Sequence, residues 1–578
     1  MTQAHRLRLA DALRELAALL ELDGANQFKS GAYQRAARTL ADYTGDLGAL
    51  VEAGTLTSID GIGKGIAEKV TEYCRTGTMA ELEELRARIP AGMLQMAEIP
   101  GLGAKKVRAL HEQLGVTDLD SLEAAARDGR LASLKGFGEK TAVNILAGIE
   151  QRRRHTGRFH LDVADALSAP VLEDLRRLPM VVRAEVAGSL RRRMETVKDL
   201  DFIVATNEPG PVMEFFTTLP GIARVTGKGT TKSSIVLGNG MGADLRCVAP
   251  GQFPFALHHF TGSKDHNTAM RRRAKDRGLT MNEYGLFPEG SDASLPAATE
   301  EEVFAHLGLA WIPPELREAM GEIEAAEAGA LPALVGSADI LGLPHMHTQW
   351  SDGAPTVEDY AAYARDMDIA WMGISDHSQT AAYAGGLTPE RVAQQHAEID
   401  RVNAQSGGGR LLKGIESDIL ADGSLDYTDE VLATFDFVVA SVHSHFTLPE
   451  EQQTERIIRA LRNPHTTILG HPTGRLLLRR DGYACDLRRI LAVAAEEGVA
   501  VEINGNPWRL ELDWRLVRHA LELGCHISLG PDAHAMAGLL HAEYALAMGR
   551  KGWLTRERCI NCLTREEFLA FARRRRNR

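Results

Sequence analysis

AGSLRRRMETVKDLDFIV, residues 187–204, decides how the rest of the chain is read. Gly188 and Ser189 open a turn, and Arg191, Arg192 and Arg193 bring positive charge. Asp199 and Asp201 follow, two apart on an extended apolar segment. Side chains alternate across a strand, so both carboxylates share one face while Leu200, Phe202 and Val204 take the other. Two carboxylates beside a Gly-Ser turn and arginines suit Mg²⁺ or Mn²⁺ held together with a triphosphate. A lone Asp-x-Asp reads more readily as a surface pair; the rest of the chain reverses that in favour of the metal site. Downstream, GADLRCVAP places Asp244 and Arg246 on one face of another strand, opposite Leu245 and Cys247. A third carboxylate completes the set that two-metal nucleotidyl transfer needs.

Upstream, one element recurs three times: IDGIGKGIAEKV from Ile59, IPGLGAKKVRAL from Ile99 and LKGFGEKTAVNI from Leu134. Each is an apolar residue between glycines (Gly61 and Gly63, Gly101 and Gly103, Gly136 and Gly138) leading into an amphipathic helix. The glycines permit a tight turn and close approach of a ligand, and the amides at the helix start form an anion site. The pattern resembles the helix-hairpin-helix, which grips a nucleic-acid backbone without reading bases. Lys69 follows the first repeat, and Lys29, Tyr33 and Arg35 precede it. A lysine among cations has its pKa lowered and serves as an amine nucleophile; an exposed helical lysine is the other reading of Lys69.

At 578 residues the chain exceeds one core, and roughly three to five domains are expected. It is 44% hydrophobic and 25% charged, within the globular range. No run of about 18 apolar residues suggests a membrane span, and the charged N-terminus reads as an amphipathic helix rather than a signal peptide. With six cysteines a disulfide framework is excluded, and the CxxC of Cys559 and Cys562 reads as structural. The net charge of −12 argues against nucleic acid as a whole-chain average, but local arginine runs at 152–154, 191–193, 271–273 and 573–576 can bind phosphates.

Taken in order, the motifs GS-x-RR-x6-D-x-D, KGTTK, DLR and HFTGSKDHNTAMRRRAKDRGLTMNEYGLF resemble the family X DNA polymerases, the group of polymerase beta, across roughly residues 1–317. The resemblance implies a helical lyase-like DNA-binding domain (1–90), a helix-hairpin-helix fingers-like domain (91–158), a nucleotidyltransferase palm (159–250) and a small α/β thumb-like, nucleotide-selecting subdomain (251–317). It implies Asp199, Asp201 and Asp244 as catalytic metal ligands. Gly188, Ser189 and Arg192 would meet the triphosphate, Phe260 and Gly262 the sugar, and Asn267 the base edge. Lys232 and Arg271 would meet DNA, Arg246 would respond to Asp244, and Lys69, with Lys29 and Tyr33 near it, would serve a 5′-deoxyribose phosphate lyase. Two departures stand out: His259 replaces the tyrosine that animal members usually carry before FTGS, and Gly65 occupies the place of an upstream lysine, with Lys64 beside it.

After a Pro- and Ala/Glu-rich linker (318–337), residues 338–578 alternate seven short apolar runs with helical segments: ADILGL, IAWMGI, RLLKGI, FDFVVASV, TTIL, VAVEI and HISLG. Six end in candidate ligands: His345 and His347, Asp376-His377, Glu416, His443, His471, and Asp532 with His534. The sixth run ends in Asn504 and Asn506 instead. Ligands just past successive strands are how a βα barrel builds its site. Imidazoles with carboxylates suit Zn²⁺ or Mn²⁺ without choosing between them. HMHTQWSDG, SDHS, GIESDI, SVHS, GHP and PDAH resemble the PHP (polymerase and histidinol phosphatase) family, a distorted (βα)7 barrel with three metals. The resemblance implies His345, His347, Glu416 and Asp532 at one metal. Glu416, His443 and His471 take a second, and Asp352, His377 and His534 a third. Pro344 departs from the commoner acidic or apolar residue.

The fold class expected is therefore multidomain α+β and α/β. The function expected is gap-filling DNA polymerisation for repair with a metal-dependent 3′–5′ exonuclease or 3′-end phosphoesterase. Its partners would be gapped or nicked duplex DNA and dNTPs, with no membrane, acting as a monomer in the cytoplasm on the nucleoid. The alternatives are a template-independent nucleotidyltransferase, a barrel that is a small-molecule phosphatase, and a DNA-end scaffold with idle centres.

Overall fold

The computed structural model describes residues 3–43, 46–59, 61–99, 101–134, 136–406 and 408–576. The chain forms two compact units, residues 1–156 with 478–480, and 157–477 with 481–578. No helix among the described residues is long and apolar enough to cross a membrane.

The first unit is helical. Its core gathers Leu13, Leu16, Leu85, Leu110 and Leu122, each contributing about 1.5–3 kcal/mol by leaving water. The three repeats become three turns that lead into Lys64–Thr76, Ala104–Leu114 and Glu139–His155, with Gly63, Gly103 and Gly138 at the N-caps. Gly61, Gly101 and Gly136 stand at φ +77°, +79° and +92°, a region L side chains avoid.

In the second unit, a five-stranded sheet is built from β1 (Arg183–Val186), β2 (Asp199–Ala205), β3 (Ile222–Lys228), β4 (Lys232–Leu237) and β5 (Gly242–Val248). The order is β1-β2-β5-β4-β3, with β2 and β5 parallel and the other pairs antiparallel. Leu200, Phe202, Val204 and Leu245 point to helices Leu161–Arg177 and Pro209–Thr217, packing with Leu161, Val212 and Phe216. On the opposite face, Ile203 and Ala205 meet Phe253 and Leu257, which leaves Asp199 and Asp201 at the start of β2.

Helices Phe253–Thr261, Lys264–Asp276 and Glu300–His306 and a ribbon of β6 (Leu279–Asn282) and β7 (Gly285–Pro288) share a smaller core around Phe255, Met270, Phe304 and Ile312. Ala326 of the short helix Glu322–Glu327 joins that core. The front of segment 318–337 is thus packed: buried Glu322 receives His266 Nδ1 at 2.7 Å.

The remaining strands, β8 (Gly342–Met346), β9 (Trp371–Ile374), β10 (Leu411–Asp418), β11 (Phe437–Ser441), β12 (Ile468–Leu469), β13 (Ala500–Asn504) and β14 (Ile527–Gly530), are parallel and neighbour one another in chain order. A bridge from Met346 to Ala533 joins the two ends of the series. The first strand lies further along than ADILGL suggested. Ser337–Asp339 is a short 3₁₀ turn, and the strand runs through His345. Gly342 opens it because Trp371 occupies the space of a Cβ, 1.9 Å away. Palm and barrel share one apolar core that includes Phe202, Val501 and Trp514. Where they meet, the Glu195 carboxylate accepts from Trp514 Nε1 at 3.0 Å and Arg515 Nη1 at 2.8 Å.

Candidate active sites

The parallel register of β2 and β5 sets Asp201 beside Asp244 and Asp199 beside Gly242. The three carboxylates therefore lie near one another toward one end of these two central strands. Gly188, at φ +62°, lies against them: a Cβ there would fall 2.1 Å from Asp201 Oδ2, so only glycine lets the turn rest on the carboxylate. Burial, with the charges of Asp199 and Asp244 adding to it, pushes the Asp201 carboxyl up to about 7. A carboxyl that keeps its proton so high, beside two others, fits a divalent cation as the proton's replacement. Lys232 lies across from Arg246 on β4, and its Nζ reaches Asp244 Oδ2 at 2.8 Å. The residue expected to touch DNA thus pairs with the third carboxylate.

The three arginines separate. Arg191 Nη2 pairs with Glu300 Oε2, which belongs to a buried cluster completed by Arg317 Nη1 at 2.8 Å from Glu300 Oε1. Arg193 Nη1 pairs with Asp165 Oδ1 at 2.7 Å. Arg192 turns toward the thumb-like subdomain: Nε meets Glu318 Oε1 at 2.9 Å and Nη1 donates to Thr261 O at 2.6 Å, passing Gly262. Ser189 belongs to the single-turn helix Gly188–Arg191. Arg246 lies over the Phe260 ring, 4.3 Å from its centroid. Asn267 Nδ2 donates to His259 O at 2.6 Å, and Arg271 is exposed one turn further on.

In the helical unit, Lys29 Nζ lies 2.9 Å from Glu81 Oε1 and Lys69 Nζ 3.5 Å from Glu81 Oε2, with Glu72 also 3.5 Å from Lys69. Tyr33 is buried beside them. The expected cationic surroundings of Lys69 are therefore corrected: a carboxylate stands between the lysines. Lys64 is the first residue of helix Lys64–Thr76, with Gly65 next to it.

The barrel ligands converge. His347, Asp352, His377 and His534 place donor atoms within 4.8 Å of one another, as do His345, His347 and Asp532, and His377, Glu416 and His443. His471 Nε2 joins Glu416 Oε1 at 2.8 Å. His345 Nε2, both ring nitrogens of His347, His377 Nδ1 and Glu416 Oε2 are buried without a hydrogen bond among the described residues. They face one another as charges instead, His377 Nδ1 at 3.0 Å and His347 Nε2 at 3.6 Å from Glu416 Oε2, and such inward-facing imidazole and carboxylate donors fit divalent metal ions. Burial alone would lower His443, but Glu416 and Asp418 raise it to about 10, and Asp352 with Asp532 raises His534 to about 9. Burial and the neighbouring imidazoles lower His347 to about 3. Glu416 and Asp532 are held well below the usual carboxylate range, the imidazoles outweighing burial. Asp376 stands apart from the cluster, holding Thr348, Ser351 and Gln395 by hydrogen bonds.

Sequence reasoning missed the carboxylates behind the ligands. Glu502 on β13 meets His345 Nδ1 at 2.5 Å and accepts from His471 N at 2.7 Å. Asp418 meets His443 Nδ1 at 2.5 Å. Each fixes a ring so that Nε2 faces the cluster. The signal was an acidic residue inside the otherwise apolar VAVEI.

Family models match along most of the chain: a helix-hairpin-helix domain at residues 4–79, a helix-hairpin-helix tandem at 93–151, a DNA polymerase beta thumb at 256–318 and a PHP domain at 344–506. The chain is 39% identical over 572 residues, 99% of its length and all of the relative's, to the DNA polymerase/3′-5′ exonuclease PolX of Bacillus subtilis (strain 168). Part of it is 30% identical to a probable phosphatase of Thermoanaerobacter sp. (strain X514), covering 38% of this chain and 88% of the relative. A probable phosphatase of Shewanella sp. (strain ANA-3) is 28% identical over 35% and 80%. A palm with paired carboxylates, a polymerase beta thumb and a histidine-rich barrel define a polymerase-type nucleotidyltransferase joined to a phosphoesterase. The chain belongs to the PolX family, the family X DNA polymerases that carry a PHP domain.

Proposed function

We propose that the chain fills short gaps in DNA at the palm and trims or unblocks 3′ ends at the barrel. Asp201 set beside Asp244, under a turn that only glycine permits, carries the synthetic half of this reading. The substrates are gapped or nicked duplex DNA and dNTPs, and the setting is base excision repair or end joining on the nucleoid, by a monomer. Asp199, Asp201 and Asp244 hold Mg²⁺ or Mn²⁺, which supply polarisation of the phosphate and of the attacking 3′-oxygen. Arg192 and the Gly188–Ser189 turn hold the triphosphate. Phe260, Gly262 and Asn267 shape the nucleotide pocket, and Lys232 and Arg271 face the DNA. Lys232 also balances the charge of Asp244 until the cation arrives. His345, His347, Asp352, His377, Glu416, His443, His471, Asp532 and His534 hold three divalent ions, Zn²⁺ or Mn²⁺, while Glu502 and Asp418 keep the rings turned inward. The domain boundaries set out from the sequence are part of the same proposal. Glu81, paired with both Lys69 and Lys29, opposes the lowered lysine pKa that lyase chemistry at Lys69 needs.

The test is a pair of double substitutions, Asp199→Ala with Asp201→Ala and His345→Ala with His347→Ala. Each is assayed on a one-nucleotide gap and on a 3′-mismatched primer. The first pair should stop synthesis alone and the second degradation alone; loss of both activities from either pair contradicts the division. The likeness of the barrel to two probable phosphatases favours a second reading, a small-molecule phosphatase. Turnover on histidinol phosphate exceeding that on a 3′-recessed duplex would decide for it.

A further inference from the structure

Lys551 ends the helix His541–Lys551 that follows the last barrel strand, yet its side chain is 0% exposed. Its Nζ donates to Arg192 O at 3.1 Å, to Glu315 O at 3.2 Å and to Glu318 Oε1 at 2.5 Å, and lies 4.4 Å from the Trp514 ring centroid. The same Glu318 oxygen holds Arg192 Nε at 2.9 Å. Thr261 O takes Nη1, so two of the three guanidinium nitrogens are committed. Nη2 makes no hydrogen bond among the described residues and remains available to an anion.

We propose that Lys551, contributed by the barrel, is a positioning residue of the nucleotide site on the palm, setting through Glu318 how Arg192 is presented to the incoming triphosphate. The inference rests on the reading of Arg192 as a triphosphate ligand. One carboxylate oxygen shared by two cations binds each less tightly than a carboxylate held by one. With Lys551 in place, Glu318 is neutralised from behind, and the charge of Arg192 is left for phosphate. Without it, Glu318 turns its whole charge on Arg192 and competes with the triphosphate. Lys551 also caps the carbonyl of Arg192 itself, fixing the backbone just after the Gly188–Arg191 turn. Burial pulls the ammonium down to about 8, with Glu318 opposing, so it is charged at neutral pH.

The experiment measures dNTP KM and kcat of the full chain on a one-nucleotide gap, with the 3′–5′ exonuclease rate as a check on the barrel. Lys551→Met should raise the dNTP KM about tenfold with kcat within about threefold, the size of one weakened charge-assisted contact. Lys551→Arg should retain most of the affinity. The decisive variant is Lys551→Met with Glu318→Gln, in which the competing charge is also gone. Its KM should return to within about threefold of the parent, a recovery that lost packing does not produce. It carries the test even if Lys551→Met alone does not fold. An unchanged KM in Lys551→Met, or a double variant worse than Lys551→Met, overturns the proposal. Arg192→Ala separates the two readings: if it leaves KM unchanged, the assignment of Arg192 has failed, and the relay fails with it.

Discussion

Asp201 holds the most informative proton in the palm. Its carboxyl is raised to about 7 by burial and by two neighbouring carboxylates, against 3.8 for a free one. Between those values the folded chain binds the extra proton, so folding stability falls as pH climbs from about 4 to 7. The shift corresponds to roughly 4 kcal/mol at 1.36 kcal/mol per unit, an upper bound once the site relaxes. With cations chelated, thermal unfolding at pH 5 and pH 8 should show the wild type losing stability relative to Asp201→Asn, and Mn²⁺ should restore more at pH 8 than at pH 5. In the barrel, Glu502→Gln should reduce metal affinity and exonuclease rate about 10- to 100-fold while gap filling persists, as for other carboxylates that orient a ligating histidine. Titration calorimetry and the two activity assays check it. All but one of the ligands were legible in the sequence because they end apolar runs, Asp352 being implied by the motif resemblance alone. Glu502 was not, because alternation says which face a side chain takes and not what waits there.

The elements that matter are short and obey simple periodicities. Two-residue alternation put Asp199 and Asp201 on one face and Asp244 with Arg246 on another, and the register of β2 and β5 brings the two faces together. Register is a pairing choice between distant segments, so the sequence allowed the triad without specifying it. The helix-hairpin-helix turns are legible for a different reason. Gly101 needs its left-handed backbone, but Gly103 has an ordinary φ of −68° and a Cβ there would meet nothing within 4 Å. Neither strain nor packing demands glycine at 103, and room for a phosphate backbone does. Gly103→Val should therefore keep the circular dichroism and lose no more than about 1 kcal/mol, the cost of a poorer N-cap, while weakening gapped-duplex binding about five- to tenfold at fixed salt. Weakened folding with intact binding would assign the glycine to packing instead.

Across the second unit, palm, thumb-like subdomain and barrel are compact together, and palm and barrel share one apolar core beside the smaller core of the thumb. Trp514 on Glu195 and Lys551 under Arg192 join segments more than 300 residues apart in sequence. At the end of AMGRKG, Lys551 reads as an ordinary basic helix terminus, which is why no sequence argument found it. Fusion at such an interface predicts a shared unfolding transition. Calorimetry of the full chain should show palm and barrel melting together, with Trp514→Phe lowering that one transition rather than splitting it. Two transitions, each abolished by damage to a different half, would show independent domains. Synthesis and trimming both depend on divalent cations gathered at two separate centres. The measurement that tests this most directly is an anomalous-scattering map of Mn²⁺-soaked crystals carrying DNA and a non-hydrolysable dNTP. It should show manganese within about 2.0–2.6 Å of Asp199, Asp201 and Asp244 oxygens and a second group among the barrel histidines. Manganese at only one of the two places, or bound away from both, would contradict it.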